Sequence, residues 1–233
     1  MIDITVLASG SRGNCYHITD GSTPLLLECG ISYKEIQKGL NFRIAEIASC
    51  LISHEHKDHC KAVRDMMKAG IDCYMSQGTA DALSISGHRL HIVRAKQQFR
   101  IGTWTILPFE TQHDAAEPLG FLLANQYGEK LLYATDTFYI RYRFKALTHL
   151  MLECNYSLDI LKANVEAGTV DVSLKNRILK SHMSLETLKG FLKANDLSRV
   201  EQIWLLHVSD GNSDAERFRR EIQELTGKMV FIA

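Results

Sequence analysis

No apolar stretch in this chain of 233 residues approaches membrane-spanning length, so no transmembrane helix is expected. Neither charge is in surplus, since 27 Lys and Arg face 27 Asp and Glu. Bulk charge therefore does not argue for a nucleic-acid partner, although a local basic groove is compatible with overall neutrality. The six cysteines, Cys15, Cys29, Cys50, Cys60, Cys73 and Cys154, contain no C-x-x-C spacing and sit mostly inside apolar runs. That suits reduced, buried thiols better than a disulfide frame. Cys60 adjoins His59, and its expected place is a small buried residue at a helix start. Met1-Ile2-Asp3-Ile4-Thr5-Val6-Leu7 alternates as a strand does, without a basic leader or a long apolar h-region. A cytoplasmic protein with no membrane partner is the expectation. Short-period repeats, low-complexity tracts and a plausible linker are also missing.

What is present is enough apolar material, 45% of residues, for one large core, and a single domain over 1–233 is expected. Strand-like segments come first, at Ile4–Ala8, Tyr16–Thr19 and Leu25–Glu28, then a short helix at Ser32–Lys38 and a strand at Ala48–Ser53. Cys60–Ala69 reads as a helix closed by Gly70. Further α and β elements follow at Cys73–Ser76, Ala80–Ser84 and His91–Val93, with a hairpin at Gln98–Phe109 and strands at Leu119–Asn125, Leu131–Thr135 and Leu150–Glu153. A helix near Ser157–Ala167, another opened by Ser184 and running to Ala194, the strand Gln202–His207, a helix at Asp214–Leu225 and the strand Lys228–Ile232 complete an α/β pattern with mixed sheets.

Against this background one segment stands out: His54-Glu55-His56-Lys57-Asp58-His59, directly after the apolar run Cys50–Ser53. Three imidazoles and a carboxylate this close bury little apolar area and repel one another when protonated, and a metal removes both objections. In an extended segment His54 and His56 lie on one side and can ligate one ion. If the chain then turns, Asp58 and His59 can reach a second ion nearby, so the motif reads as dinuclear. Several strands also end on a titratable residue: Glu28 after Leu25-Leu26-Leu27, His54 after Ile52-Ser53, Asp136 after Leu132–Thr135, and His207 after Trp204-Leu205-Leu206. Strand ends meeting at one sheet edge would gather these groups into a single site.

These segments resemble the metallo-β-lactamase superfamily, whose signature is an H-x-H-x-D-H loop followed by a later His, a later Asp and a C-terminal His, and within it the WalJ/YycJ branch of metal-dependent nucleases. The resemblance rests on Leu7–Asn14, Ser53–His59, His113–Pro118, Ala134–Asp136, Leu152–Asn155, Arg177–Leu179, His182–Ser184 and Leu206–Ser209, in family order across nearly the whole chain. It implies a four-layer αβ/βα sandwich carrying two divalent ions, zinc or manganese, with iron as a third candidate. By the same resemblance His54, His56 and His113 would hold the first ion, Asp58, His59 and His207 the second, and Asp136 would bridge them. A hydroxide shared by the ions would attack, with Asp58 and Asp136 positioning it. His182, before the likely N-cap residue Ser184, would contact the scissile phosphate or protonate the leaving oxygen.

The glycine-rich loop Ser9–Asn14 could cradle a phosphate, with Ser11, Arg12 and Asn14 as donors, make the tight connection between two strands, or do both. Glu28 would orient a metal-binding histidine from behind, although relatives usually place Asp there. Asn155-Tyr156-Ser157 likewise departs from the usual Asn-His-Asp of the branch, and the region before His182 is short. Arg141-Tyr142-Arg143 reads as a solvated connector, with guidance of nucleic acid as the alternative. No role is expected for His17, His88, His91 or His149. The leading function is a hydrolase of phosphodiester bonds, a DNA exonuclease, with nucleic acid as partner and DNA favoured over RNA. The runner-up is a hydrolase of a small phosphodiester, thioester or lactone, which would use the same ions in a closed pocket.

Overall fold

The computed structural model describes residues 1–233, which form two compact units: Met1–Glu110 with Ala115–Glu129, and Thr111–Asp114 with Lys130–Ala233. The first begins with β1 (Asp3–Ala8), β2 (Cys15–Thr19), β3 (Leu25–Leu27), α1 (Tyr33–Gly39) and β4 (Ser49–Leu51). It continues through α2 (Lys57–Cys60), α3 (Val63–Lys68), β5 (Asp72–Met75), α4 (Gln77–Leu83) and β6 (Leu90–Ile92) to β7 (Phe99–Ile101), β8 (Trp104–Glu110) and β9 (Leu119–Ala124). Strands β1 to β6 form one sheet in sequence order. β1 to β3 run antiparallel and β3 to β6 parallel. Strands β7, β8 and β9 form an antiparallel meander. Burial follows strand type: β3 and β4 are buried at every position, as strands covered on both faces must be, whereas most of β8 alternates. Leu26, Ile36, Cys50, Ile52, Met66 and Cys73 anchor the core of this unit.

The second unit contains β10 (Lys130–Ala134), β11 (His149–Glu153), α5 (Leu158–Glu166), α6 (Val172–Ser181), α7 (Leu185–Ala194), β12 (Gln202–Leu206), α8 (Ala215–Thr226) and β13 (Met229–Ile232). Its four strands are all parallel in the order β13-β12-β11-β10. Pairing of Ala134 with Leu152 and of Glu153 with Leu206 brings the C-terminal ends of β10, β11 and β12 to one edge.

Two departures from the expected pattern bear on the site. The helix expected at Cys60–Ala69 begins three residues earlier, at Lys57, and is broken into α2 and α3, so Asp58 and His59 ride on the first helical turn of the motif itself. Helix α6 has no counterpart in the sequence reading. Val172 and Leu174 are exposed on it, so its apolar residues outline no clean face. It is held by an N-cap from Asp171 to Leu174 N–H and by Ile178, which packs with Tyr156, Leu161 and Val170. Tyr156, the departure noted above, is buried in that cluster. All six cysteines are free and buried, as expected. No helix is long and apolar enough to cross a membrane.

Candidate metal centre

In the first unit the H-x-H-x-D-H segment is clamped by backbone. Asp58 O accepts from Asn14 N–H at 2.7 Å, His59 O from Cys29 N–H at 2.8 Å, and Asn14 O from Gly30 N–H at 2.8 Å. A Cβ on Gly30 would meet Asp58 O at 1.7 Å, so only glycine allows this approach. Nε2 of His54 then lies 3.1 Å from Nδ1 of His56, and Nε2 of His59 lies 3.3 Å from Oδ2 of Asp58. Glu28 is fully buried in a left-handed conformation (φ 64°), accepts from Ser53 N–H, and brings Oε2 to 3.7 Å from Nδ1 of His59.

Asn14, expected to meet substrate, to hold the loop, or both, is tied into the loop. It is fully buried, its Oδ1 accepts from Gly10 N–H and Tyr16 O–H, and its Nδ2 reaches Gly10 O, Asp58 O and Nε2 of His59. Ser11 lies exposed on the same loop. The Cys60 thiol donates to the carbonyls of Glu55 and His56, and burial pushes its pKa up to about 12. It is buried as expected, but it ends α2 rather than starting a helix, and it is not among the clustered donor groups.

In the second unit Asp136 and His207 end their strands in left-handed conformations, with φ of 45° and 52°. Such angles are costly for residues with a Cβ and are typical of functional strand ends. The two carboxylate oxygens of Asp136 face different rings: Oδ1 lies 3.7 Å from Nε2 of His207, and Oδ2 lies 3.5 Å from Nε2 of His113. Nδ1 of His113 lies 3.0 Å from Ser181 O, which fixes Nε2 as the ring's available lone pair. Burial lowers the His113 pKa despite the nearby Asp136 charge, which favours the neutral form that a metal requires. His182 and His207 rings stack with centroids 5.4 Å apart.

The sequence reading gave Glu153 and Asn155 no part in the site, and both matter. Glu153 is fully buried at the end of β11, with Oε1 at 2.6 Å from Nδ1 of His182 and 3.7 Å from Nδ1 of His207. Its Oε2 accepts from Thr137 and Met183 N–H. Asn155 places its Nδ2 at 2.9 Å from Nδ1 of His207. Burial lowers the His182 pKa, but the Glu153 charge and hydrogen bond outweigh it and raise the value to about 9. His182 thus closes α6 as its C-cap and points to a carboxylate, rather than belonging only to the N-terminus of α7. The clue available in sequence was an acidic residue ending a fully apolar strand, the same pattern as Glu28.

The donor chemistry fits divalent ions. Two ligands at about 2.1 Å from a tetrahedral ion stand about 3.4 Å apart, and the pairs above span 3.1 to 3.7 Å. In the second unit Asp136, Glu153, His182 and His207 present donor atoms within 4.8 Å of one another. Imidazole and carboxylate donors without thiolate suit zinc, manganese and iron alike.

A family model described as the Beta-lactamase superfamily domain matches residues 25–208, and the chain belongs to the metallo-β-lactamase superfamily of hydrolases. Its fold is the metallo-β-lactamase α/β fold, matched over 100% of this chain and 96% of the metallo-β-lactamase fold protein YhfI of Bacillus subtilis, with a TM-score of 0.75 and 15% identity. The chain is 26% identical over 248 residues to the exodeoxyribonuclease YycJ of Bacillus anthracis, covering 99% of this chain and 91% of that protein. It is 28% identical over 229 residues to the exodeoxyribonuclease WalJ of Streptococcus pneumoniae, covering 91% and 83%.

Proposed function

We propose that the chain acts as one dinuclear metal-dependent hydrolase domain of phosphodiester bonds over residues 1–233, a cytoplasmic exonuclease acting on DNA in preference to RNA. His54, His56 and His113 would hold one ion and Asp58, His59 and His207 a second, with Asp136 as a ligand shared by the two; zinc or manganese would be the occupant, with iron as a third candidate. The observation that carries this reading is Asp136, whose two oxygens face the Nε2 atoms of two different histidines. Similarity to two proteins named exodeoxyribonucleases, over most of the length of each, supports the substrate class.

When bound, the two cations supply positive charge to the attacked phosphate and a water acidic enough to ionise near neutral pH. Asp58 and Asp136 orient the attacking water by accepting its proton and fixing its lone pair. Oxygens of Glu28 and Glu153 lie 3.7 Å from Nδ1 of His59 and of His207, so a buried carboxylate would stand beside each imidazole that took an ion. Glu153 also holds Nδ1 of His182, which leaves Nε2–H to donate to the departing oxygen. Ser11, exposed on its loop, offers a hydroxyl to a non-bridging phosphate oxygen.

The test is hydrolysis of labelled single- and double-stranded DNA, labelled RNA and a chromogenic phosphodiester, with zinc and with manganese. Release of mononucleotides from DNA ends is the expected result. Turnover confined to the chromogenic ester would overturn the nuclease reading in favour of a small-substrate hydrolase.

A further inference from the structure

The segment that leaves Asp136, Thr137-Phe138-Tyr139-Ile140-Arg141-Tyr142-Arg143-Phe144-Lys145, contains no acidic residue and belongs to no helix or strand. It is nonetheless firmly held. Phe138 N–H donates to Gln112 O at 3.1 Å, Thr137 Oγ1 to Tyr139 O at 2.9 Å, Arg141 to Gln112 Oε1 at 2.6 Å, and Phe144 N–H to Asn195 Oδ1 at 3.0 Å. Ile140 is buried and anchors it, and Tyr142 and Phe144 are partly buried. Arg141, Arg143 and Lys145, every second residue, are exposed on the other side. At the end nearest Asp136, Phe138 and Tyr139 leave 40% and 52% of their surface in solvent. Adjacent exposed aromatic faces in a pinned segment are thus followed directly by a row of cations.

The geometry points to this ribbon as the track for a single-stranded DNA segment, with bases stacking on Phe138 and Tyr139 and backbone phosphates meeting Arg141, Arg143 and Lys145. Aromatic faces accept any base, and alternating cations follow a backbone without reading sequence. The charge complementarity selects a polyanion, and the two aromatic rings select unpaired bases over a duplex, whose stacked bases offer no free faces. The inference deepens the nuclease reading and rests on it for the strand's destination at Asp136.

The experiment measures binding of fluorescein-labelled oligothymidylate by anisotropy across a salt series, beside turnover of the oligomer and of bis(4-nitrophenyl) phosphate. Phe138→Ala/Tyr139→Ala is expected to weaken oligomer binding by about tenfold or more. Arg143→Ala/Lys145→Ala, which leaves the Arg141 to Gln112 contact in place, is expected to weaken it and to flatten the log-log salt dependence by about 1.4, the loss of two phosphate contacts on a single strand. In both variants the ratio of oligomer to small-ester turnover falls. Unchanged oligomer affinity in both variants, or equal loss of small-ester turnover, overturns the ribbon. A wild-type protein that binds the oligomer through these residues without cleaving it would leave the track standing and reject the nuclease reading instead.

Discussion

Oε1 of Glu153 lies 2.6 Å from Nδ1 of His182, and the same oxygen lies 3.7 Å from Nδ1 of His207. One buried carboxylate therefore hydrogen-bonds the ring assigned to the leaving group and lies beside a ring assigned to the ion. Glu153→Gln keeps the size and one acceptor but removes the charge. It is expected to lower kcat by about 10- to 100-fold while weakening metal binding, since outer partners of ligating histidines carry effects of that size. Metal content measured beside kcat checks both halves.

His182 and Asp136 should separate chemistry from metal binding. His182→Ala is expected to retain its metal complement and lose turnover by about 10²- to 10⁴-fold, the usual scale for a general acid. Asp136→Ala is expected to lose metal outright, because both its oxygens face histidine nitrogens. Elemental analysis beside kinetics decides, and intact turnover in the His182 variant would reject its assignment.

Gly30 should tolerate no side chain. The approach of Asp58 O to its Cα leaves a Cβ only 1.7 Å of room. Gly30→Ala is expected to destabilise the fold by roughly 3 kcal/mol or more, beyond ordinary overpacking, and to displace Asp58 and His59 along with the helix start. Thermal unfolding together with metal titration checks this.

Removing the ions should cost stability as well as activity. With free metal at about 100 times its dissociation constant, the folded state gains about 2.7 kcal/mol. Chelation is therefore expected to lower the Tm, and the His113→Ala variant should show much less of this shift. Equal shifts in variant and wild type would place the metal elsewhere.

Away from the site, Arg217 hydrogen-bonds Asp159 at 2.6 Å and lowers the carboxyl to about 2. A depressed folded-state value gives stability that is present above the ordinary Asp range and lost as pH falls through about 2. Asp159 is 57% exposed, so solvent screening holds the contribution to about 1 kcal/mol or less. Asp159→Asn should thus lower stability slightly at neutral pH and not at all below pH 2, as followed by denaturant unfolding.

Much of this molecule was legible in its residues. Apolar runs that end on Glu28, Asp136 and His207 follow the rule that parallel strands are apolar throughout and expose chemistry only at their ends, so both strand positions and candidate ligands could be read together. The H-x-H-x-D-H motif and its later partners also identified the family. Helix α6 escaped because Val172 and Leu174 face solvent, leaving no periodic stripe; its place depends on Ile178 meeting Tyr156 and Leu161 from elsewhere in the chain. The start of α2 was missed for a related reason, since Lys57–Cys60 is too short to show a period.

What the chain order determined by itself was the alternation of elements, the donor types available to a metal and the absence of a disulfide frame, because these depend on local composition and spacing. Only the tertiary structure decided that Asn14 is buried against His59, that Glu153 hydrogen-bonds His182, and that Phe138 and Tyr139 remain exposed. Each of those facts depends on which distant backbone passes within a few ångströms, and hydrogen-bond distance is set by packing across the sheet rather than by neighbours in sequence.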